Sequence, residues 1–252
     1  MPRFFVNDEQ INENTVVLTG DDAHHIARSL RMAVGETLTV CDRSGDEYTC
    51  KIEAFDEDRE VRATVIRVDL SSTEPKCKIT LFQALPKGDK LDTVIQKAVE
   101  CGASRIVPFE SERCIVKVKA DAEERKTQRR ARIAEEAAKQ SGRSMLPTVS
   151  PTVSFDQMIR EASEAGLALL CYEAERAMPI GRVLENFVRE NNGKPLPDIA
   201  VIVGSEGGFS PEEVRRATEA GMTSVGLGNR ILRTETAPIF ALSCIIMSTE
   251  LT

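Results

Sequence analysis

Apolar positions follow two different rhythms along this chain, and the change comes near residue 70. Before it they form short runs at residues 16–18, 37–42, 48–52 and 61–68, separated by polar and turn-forming residues. Runs of that length predict strands. Arg43-Ser44-Gly45-Asp46-Glu47 predicts the hairpin turn between two of them. One helix interrupts the series: Asp21 or Asp22 can cap it, and Ile26 with Leu30 at i,i+4 marks its buried side. Arg28 and Arg31 fall one turn apart on another face. Several short strands closed this way predict a small barrel, and residues 71–75 then read as a linker.

Beyond the linker, strand-like and helix-like patterns alternate. Residues 79–84, 105–109, 167–172, 199–203 and 223–227 are strand-like. Between them the periodicity predicts a helix over residues 90–100 ending at Gly102, a long basic helix, a helix from about residue 180 to 190, and one over 211–219. The last run, 238–247, is apolar on nearly every face and is therefore expected to be a buried helix. Alternation of this kind predicts an α/β fold with a parallel sheet covered on both faces. Residues 191–197 read as a loop within it.

Two glycine-punctuated blocks carry the candidate chemistry. In the first, Gly204-Ser205-Glu206-Gly207-Gly208 leads into Ser210-Pro211-Glu212-Glu213, a capping box with proline at the first helical position, so a helix starts at Ser210. Gly204, Gly207 and Gly208 allow positive φ or close passage of the backbone past a ligand, which suits an adenine or ribose lying on bare peptide. A tight strand-to-helix turn needing glycine for geometry alone is the competing reading. In the second block, Arg230, Arg233 and Glu235 crowd the loop before the final apolar helix. Charges at the mouth of a buried helix usually have a task, and loops at this junction are where open α/β sheets bind ligands.

Composition narrows the classes. The 252 residues are enough for one large domain or two of ordinary size. No apolar run approaches the roughly 20 residues that span a bilayer, and the first residues lack the apolar stretch of a signal peptide, so a cytoplasmic protein is expected. Seven scattered cysteines without a Cys-x-x-Cys pair read as reduced core thiols, and adjacent His24 and His25 lack the spacing of a metal pair; no metal is expected. The net charge of −7 argues against non-specific coating of nucleic acid. Locally the balance reverses: between Arg113 and Arg143, ten basic residues, Lys117 and Lys119 among them, face five acidic ones. A solvated helix face with pairs such as Glu135 to Lys139 explains that run, while the polar turn Gln140-Ser141-Gly142-Arg143 at its end is suited to a phosphate. With no Trp and two Tyr, base stacking is not the obvious binding mode, leaving shape and phosphate contacts.

Five ordered blocks together resemble a known family: the two glycine blocks, Lys87-Gly88-Asp89-Lys90-Leu91-Asp92 leading to Ile95-Gln96-Lys97-Ala98-Val99-Glu100, Ser111-Glu112-Arg113-Cys114, and the stretch from Glu135 to Arg143. They are similar to the bacterial 16S ribosomal RNA uridine-N3 methyltransferases of the SPOUT superfamily. Phe4-Phe5 and the stretch from His24 to Arg31 match its N-terminal part, whereas Ser205 and Asn229 stand where the family often has proline. A lost proline loosens a loop without removing a donor.

The resemblance implies a PUA-like RNA-binding β-barrel over residues 1–72 and a SPOUT methyltransferase domain over 76–252, with a C-terminal segment that threads a deep trefoil knot. Periodicity shows no knot, and the general rule is against one. The resemblance places S-adenosyl-L-methionine in that knot, held by the ends of three strands: Leu170, Cys171 and Tyr172; Val203, Gly204, Glu206, Gly207 and Gly208; and Leu227, Gly228, Arg230, Ile231, Leu232, Arg233 and Thr236. It further implies a homodimer through the knot helices and, as substrate, 16S ribosomal RNA within the small subunit.

The uracil N3 proton must leave as the methyl group arrives, which spreads negative charge onto O2 and O4. Arg233 is the first candidate donor to those oxygens; a salt bridge to Glu235 or Glu206 that merely shapes the loop is the alternative. Glu206 and Glu235 are candidate proton acceptors, with loop bracing or capping as the competing role. Arg3, Arg28, Arg31, Arg113, Gln140 and Arg143 are candidate RNA contacts, each weighed against plain surface solvation. Three other readings stand beside this one: a SPOUT enzyme acting on another RNA position or a ribose 2'-hydroxyl, a knotted RNA-binding assembly factor without turnover, and a nucleotide-dependent oxidoreductase. The lack of Gly-x-Gly-x-x-Gly after the first strand weighs against the last.

Overall fold

The computed structural model describes residues 1–56, 60–69, 73–117 and 120–251. The chain divides into two units: Met1–Glu74 with Ala138–Leu146, and Pro75–Ala137 with Pro147–Thr252. Of the expected linker, Ser71 and Ser72 lie outside the described residues, as does Lys119 of the basic run.

The first unit holds β1 (Arg3–Phe5), β2 (Ile11–Asn12), β3 (Thr15–Leu18), α1 (Gly20–His24), β4 (Thr37–Cys41), β5 (Glu47–Phe55) and β6 (Val61–Asp69). The strands form one mixed sheet in the order β1-β4-β5-β6-β3-β2, with β1 parallel to β4 and the other pairs antiparallel. Alternate residues turn inward, as the two-residue period of a strand requires. Phe4, Val16, Leu18, Leu38, Val40, Cys50, Ile52, Val61 and Ala63 therefore meet in a single core, which means the sheet curls around it. Among the described residues the ladder runs from β1 to β2 and does not close into the ring of strands that a full barrel needs.

The helix departs from its sequence reading. Thr19, not Asp21 or Asp22, is the N-cap residue, and it makes no side-chain cap bond; the two aspartates sit in the first turn, where their charge complements the helix dipole. After His24 the helix widens into a π-helical turn, His25–Ser29, marked by the Leu30 N–H donating to the His25 carbonyl at 2.9 Å. The extra residue in that turn breaks the i,i+4 superposition, so Ile26 is buried but Leu30 is 40% exposed, and Met32 packs on the core instead.

The second unit contains β7 (Ile79–Ala84), α2 (Lys90–Glu100), β8 (Arg105–Glu110), α3 (Ala120–Ser141, whose end belongs to the first unit), β9 (Thr148–Val149), β10 (Val153–Ser154), α4 (Phe155–Ala162), β11 (Leu167–Cys171), α5 (Ile180–Glu190), β12 (Ile199–Val203), α6 (Pro211–Glu219), β13 (Thr223–Val225) and α7 (Thr236–Glu250). All its strand pairs are parallel, in the order β10-β8-β7-β12-β11-β13 with β9 beside β8. Having made β12, the chain passes beyond β11 to place β13 on its far side. The C-terminal ends of β11, β12 and β13 thus lie together, with β11 central.

Of the second unit's elements, β9, β10 and α4 escaped the sequence reading, as did β1 and β2 in the first. The α4 helix was legible, since Ser154 and Gln157 form a capping pair in which the Ser154 hydroxyl accepts the Gln157 N–H at 3.2 Å. The final helix is not buried all round. Ala241, Leu242 and Ile245 are fully covered, but Phe240 is 39% and Met247 61% exposed, because one face of α7 packs against α2, α5 and β12 while the face carrying these two is left partly open among the described residues.

Candidate active site

The capping box read from sequence is present and sets one wall of a cavity. The Ser210 hydroxyl accepts the Glu213 N–H at 3.2 Å, and the Glu213 carboxylate accepts the Ser210 N–H at 2.9 Å and the Glu112 N–H at 2.7 Å. Ser210→Ala removes one of these bonds and should cost about 1 kcal/mol, read as a lower urea midpoint at unchanged slope. Upstream of the cap, the Gly208 N–H closes a turn on the Ser205 carbonyl at 2.9 Å with Gly208 at φ +63°, a conformation favouring glycine. A Cβ on Gly208 would stand 2.4 Å from Glu173 Oε1, and one on Gly204 3.2 Å from the Gly208 Cα. At Gly208 the backbone angle favours glycine, since the end of the Glu173 side chain can move aside, whereas at Gly204 the Gly208 backbone leaves little room for a Cβ.

The cavity, about 510 Å³, lies at the C-terminal ends of β11, β12 and β13. The end of β11 supplies Cys171, Tyr172 and Glu173. The glycine block supplies Val203, Gly204, Ser205, Glu206, Gly207 and Gly208, and the arginine block supplies Leu227, Gly228, Arg230, Ile231, Leu232, Arg233 and Thr234, with Lys90 and Ala237 completing the lining. Thirteen expected positions thus come together around one space. Three do not line it: Leu170 is fully buried within β11, Glu235 sits at the N-cap position of α7 without a side-chain cap bond, and Thr236 is that helix's first residue. Lys90, Glu173, Ser205, Thr234 and Ala237 were not assigned from sequence. Lys90 and Thr234 are marked only by their long-range partners, Glu206 and Glu235 for the first and the Gly204 carbonyl for the second.

Beneath the loops lies a neutral brace. Gln83, fully buried, donates from Nε2 to the Gly204 carbonyl at 3.3 Å and to Thr234 Oγ1 at 3.2 Å, while Thr234 Oγ1 donates to the same carbonyl at 2.9 Å. Above it lies a charged one. Lys90 Nζ is 2.7 Å from Glu206 Oε1 and 3.6 Å from Glu235 Oε2. The Lys87 N–H also donates to Glu206, at 3.2 and 3.3 Å to its two oxygens. Burial pushes the Glu206 carboxyl up, but the Lys90 and backbone hydrogen bonds outweigh it and hold the group below its ordinary range. Their carboxylates raise Lys90 in turn.

Both candidate proton acceptors are therefore engaged by Lys90, and the salt bridge weighed for Arg233 goes to Lys90 instead. Among the described residues, Arg233 forms no ion pair and is exposed at the cavity. The Cys171 thiol is pushed up to about 12 by burial, which leaves it neutral and no nucleophile. The residues fit a nucleoside-sized ligand: the volume is in the usual range for such sites, the wall is bare peptide where a Cβ would intrude, and the buried Ser205 hydroxyl in that wall has no partner among the described residues.

The candidate RNA contacts separate into two kinds. Arg28, Arg31 and Gln140 are exposed, and Arg113 is exposed with its Nη1 donating to the Gly207 carbonyl at 3.0 Å. Arg143 is a correction: its guanidinium is 3% exposed and committed to Glu74, because the turn after α3 folds it into the interior of the first unit. Arg3 is likewise engaged, by Glu47 at 3.0 Å and by Cys41 Sγ at 2.8 Å. Among the described residues, no group of three or more His, Cys, Asp or Glu is placed to hold a metal, and no helix is long and apolar enough to cross a membrane.

Comparison with known proteins adds to this geometry. Residues 73–246 match a family model described as an RNA methyltransferase domain, and residues 18–66 match an RNA methyltransferase PUA domain. The chain is 35% identical to the ribosomal RNA small subunit methyltransferase E of Bacillus subtilis, covering 100% of this chain and 98% of that one. It is 33% identical to the protein of the same name from Synechocystis, over 96% of this chain and 76% of the relative. Among solved structures, ribosomal RNA small subunit methyltransferase E from Neisseria gonorrhoeae, bound to S-adenosyl methionine, aligns with a TM-score of 0.83 at 32% identity, covering 98% of this chain and 97% of that one. A Legionella pneumophila protein solved with the same cofactor aligns at 0.81 and 34% identity, over 97% and 96% of the two chains.

Proposed function

This chain belongs to the ribosomal RNA small subunit methyltransferase E family, and from that premise we propose that it methylates N3 of one uridine in 16S ribosomal RNA within the small subunit. It is an rRNA methyltransferase that uses S-adenosyl-L-methionine. The observation that carries the finer reading is the cavity at three adjacent parallel strand ends, walled by glycine and edged by Arg230 and Arg233.

Bound there, the cofactor supplies an electrophilic methyl group on a positively charged sulfur. The chain's own residues do the rest. Gly204, Gly207 and Gly208 offer bare backbone, Leu227 to Leu232 complete the cradle, and the brace of Gln83 and Thr234 keeps the two loops in register. Arg233, without an ion pair among the described residues, donates to the oxygen on which charge develops as the N3 proton leaves to solvent. This favours an imide over a ribose hydroxyl. A hydroxyl is far less acidic and calls for a stronger base than a carboxylate, whereas the lining has no histidine and its carboxylates are Glu173 and Glu206, the second held by Lys90.

The same reading assigns residues 1–72 as a PUA-like RNA-binding domain and 76–252 as a SPOUT domain with a deep trefoil knot. The passage of the chain past β11 to β13, and the bond from Thr234 to the Gly204 carbonyl, support the knot. The exposed apolar face of α7 supports a homodimer built through it. Arg28, Arg31, Arg113 and Gln140 are the assigned RNA contacts, and the cytoplasm, where ribosomal subunits are assembled, is the assigned compartment.

The test incubates the purified protein and S-adenosyl-L-methionine with small subunits lacking native modifications, digests the RNA and identifies the methylated nucleoside by mass spectrometry. N3-methyluridine from a single 16S site is the expected product; a 2'-O-methyl nucleoside, or none with cofactor bound, would replace this reading by one of its rivals. Given the net charge of −7, the assembled subunit should outpace deproteinised 16S RNA. Equal rates on the two would remove that preference.

A further inference from the structure

Lys90 is the first residue of α2, more than a hundred positions from either glutamate it meets. Glu206 belongs to the glycine loop after β12, and Glu235 ends the arginine loop after β13. Its ammonium group reaches both, at 2.7 and 3.6 Å, while the Lys87 N–H adds a second tie to Glu206. Three separate segments thus converge on one charge at the edge of the cavity that Lys90 itself lines. Without that charge, two carboxylates would repel each other across the gap between the loops.

We propose that Lys90 is a positioning residue: by joining Glu206 to Glu235 it locks the glycine loop and the arginine loop into one cradle, preorganised for the cofactor. The proposal rests on the S-adenosyl-L-methionine reading and deepens it. Ion pairs that are partly open to solvent contribute modestly, so the effect belongs in loop ordering, paid before binding when the lysine is present and at binding when it is not. The alternative is a pure field effect, in which the lysine only offsets two negative charges near a cationic ligand. The two differ in sign. S-adenosyl-L-methionine carries a positive sulfur and S-adenosyl-L-homocysteine a neutral one, so removing a field-only lysine would favour the first ligand over the second. Removing a positioning lysine weakens both alike.

Calorimetric titration of the full chain with each of these two ligands separates the cases. Lys90→Met should weaken both by about fivefold, the scale of one lost exposed ion pair. Lys90→Arg, which keeps the charge and the reach, should return both to within about twofold of wild type. In a Glu206→Gln background, Lys90→Met should add little, because the partner through which it acts is already gone. Equal affinities in wild type and Lys90→Met, a gain for S-adenosyl-L-methionine over S-adenosyl-L-homocysteine, or full additivity with Glu206→Gln would each overturn the proposal. Wild-type protein that binds neither ligand would overturn the cofactor reading itself, a distinct result.

Discussion

Arg233→Ala should lower kcat about a hundredfold while leaving affinity for S-adenosyl-L-methionine nearly unchanged, which is the scale seen when one preorganised donor to a developing oxyanion is removed. The reason is its freedom. Glu206 and Glu235, the carboxylates weighed as its partners, are held by Lys90, and the guanidinium at the cavity has no ion pair among the described residues. A side chain with no structural partner loses little stability when truncated, and the melting temperature should barely move. Arg233→Lys should fall between the two, since it keeps the charge but not the planar pair of donors. Single-turnover kinetics on small subunits, with cofactor binding measured in parallel, checks this. A variant that loses cofactor affinity but turns over normally would make Arg233 a binding residue alone.

The largest stability effect is expected in the first unit, at Glu74. Its carboxylate accepts from Arg143 Nε and Nη2, from the Ser144 N–H at 3.0 Å and from the Met145 N–H at 3.1 Å. Glu74→Ala takes from the buried Arg143 guanidinium the carboxylate it is committed to and should cost about 3 kcal/mol, read by urea unfolding at neutral pH. Replacing both partners, Glu74→Leu with Arg143→Met, should recover much of that loss, because the cost lies in keeping a charge buried without its carboxylate more than in the missing attraction. The pH dependence follows the same pair. Burial pushes the Glu74 carboxyl up, but the hydrogen bonds and charge of Arg143 and the two backbone N–H groups outweigh it, so the folded value is depressed. Its contribution is therefore complete above the ordinary glutamate pKa of about 4.3 and fades as pH falls through the depressed value. Acid unfolding should be less steep in that window for Glu74→Ala than for wild type.

The sequence by itself determined the elements whose signals are local. A capping box with proline placed the start of α6 at Pro211, and apolar periodicity placed α2 at Lys90–Glu100 and α5 at Ile180–Glu190. The glycine and arginine blocks marked the two loops that line the cavity, because only certain residues permit those turns and the resemblance joined them to one chemistry. The tertiary structure alone decided what depends on which strands are neighbours. The placement of β13 outside β11, the convergence of Lys90 on Glu206 and Glu235, and the burial of Arg143 against Glu74 all join segments distant in the chain. Local propensity falls silent there: a lysine opening a helix and a glutamate in a turn look the same whether they meet solvent or each other. The π-helical turn at His25–Ser29 shows the same limit at short range, since one inserted residue sends Leu30 outward while every local signal for the helix is unchanged. Pairings of this kind are settled by the packing of the sheet and its helices, where the free energy of burial is summed over the whole unit.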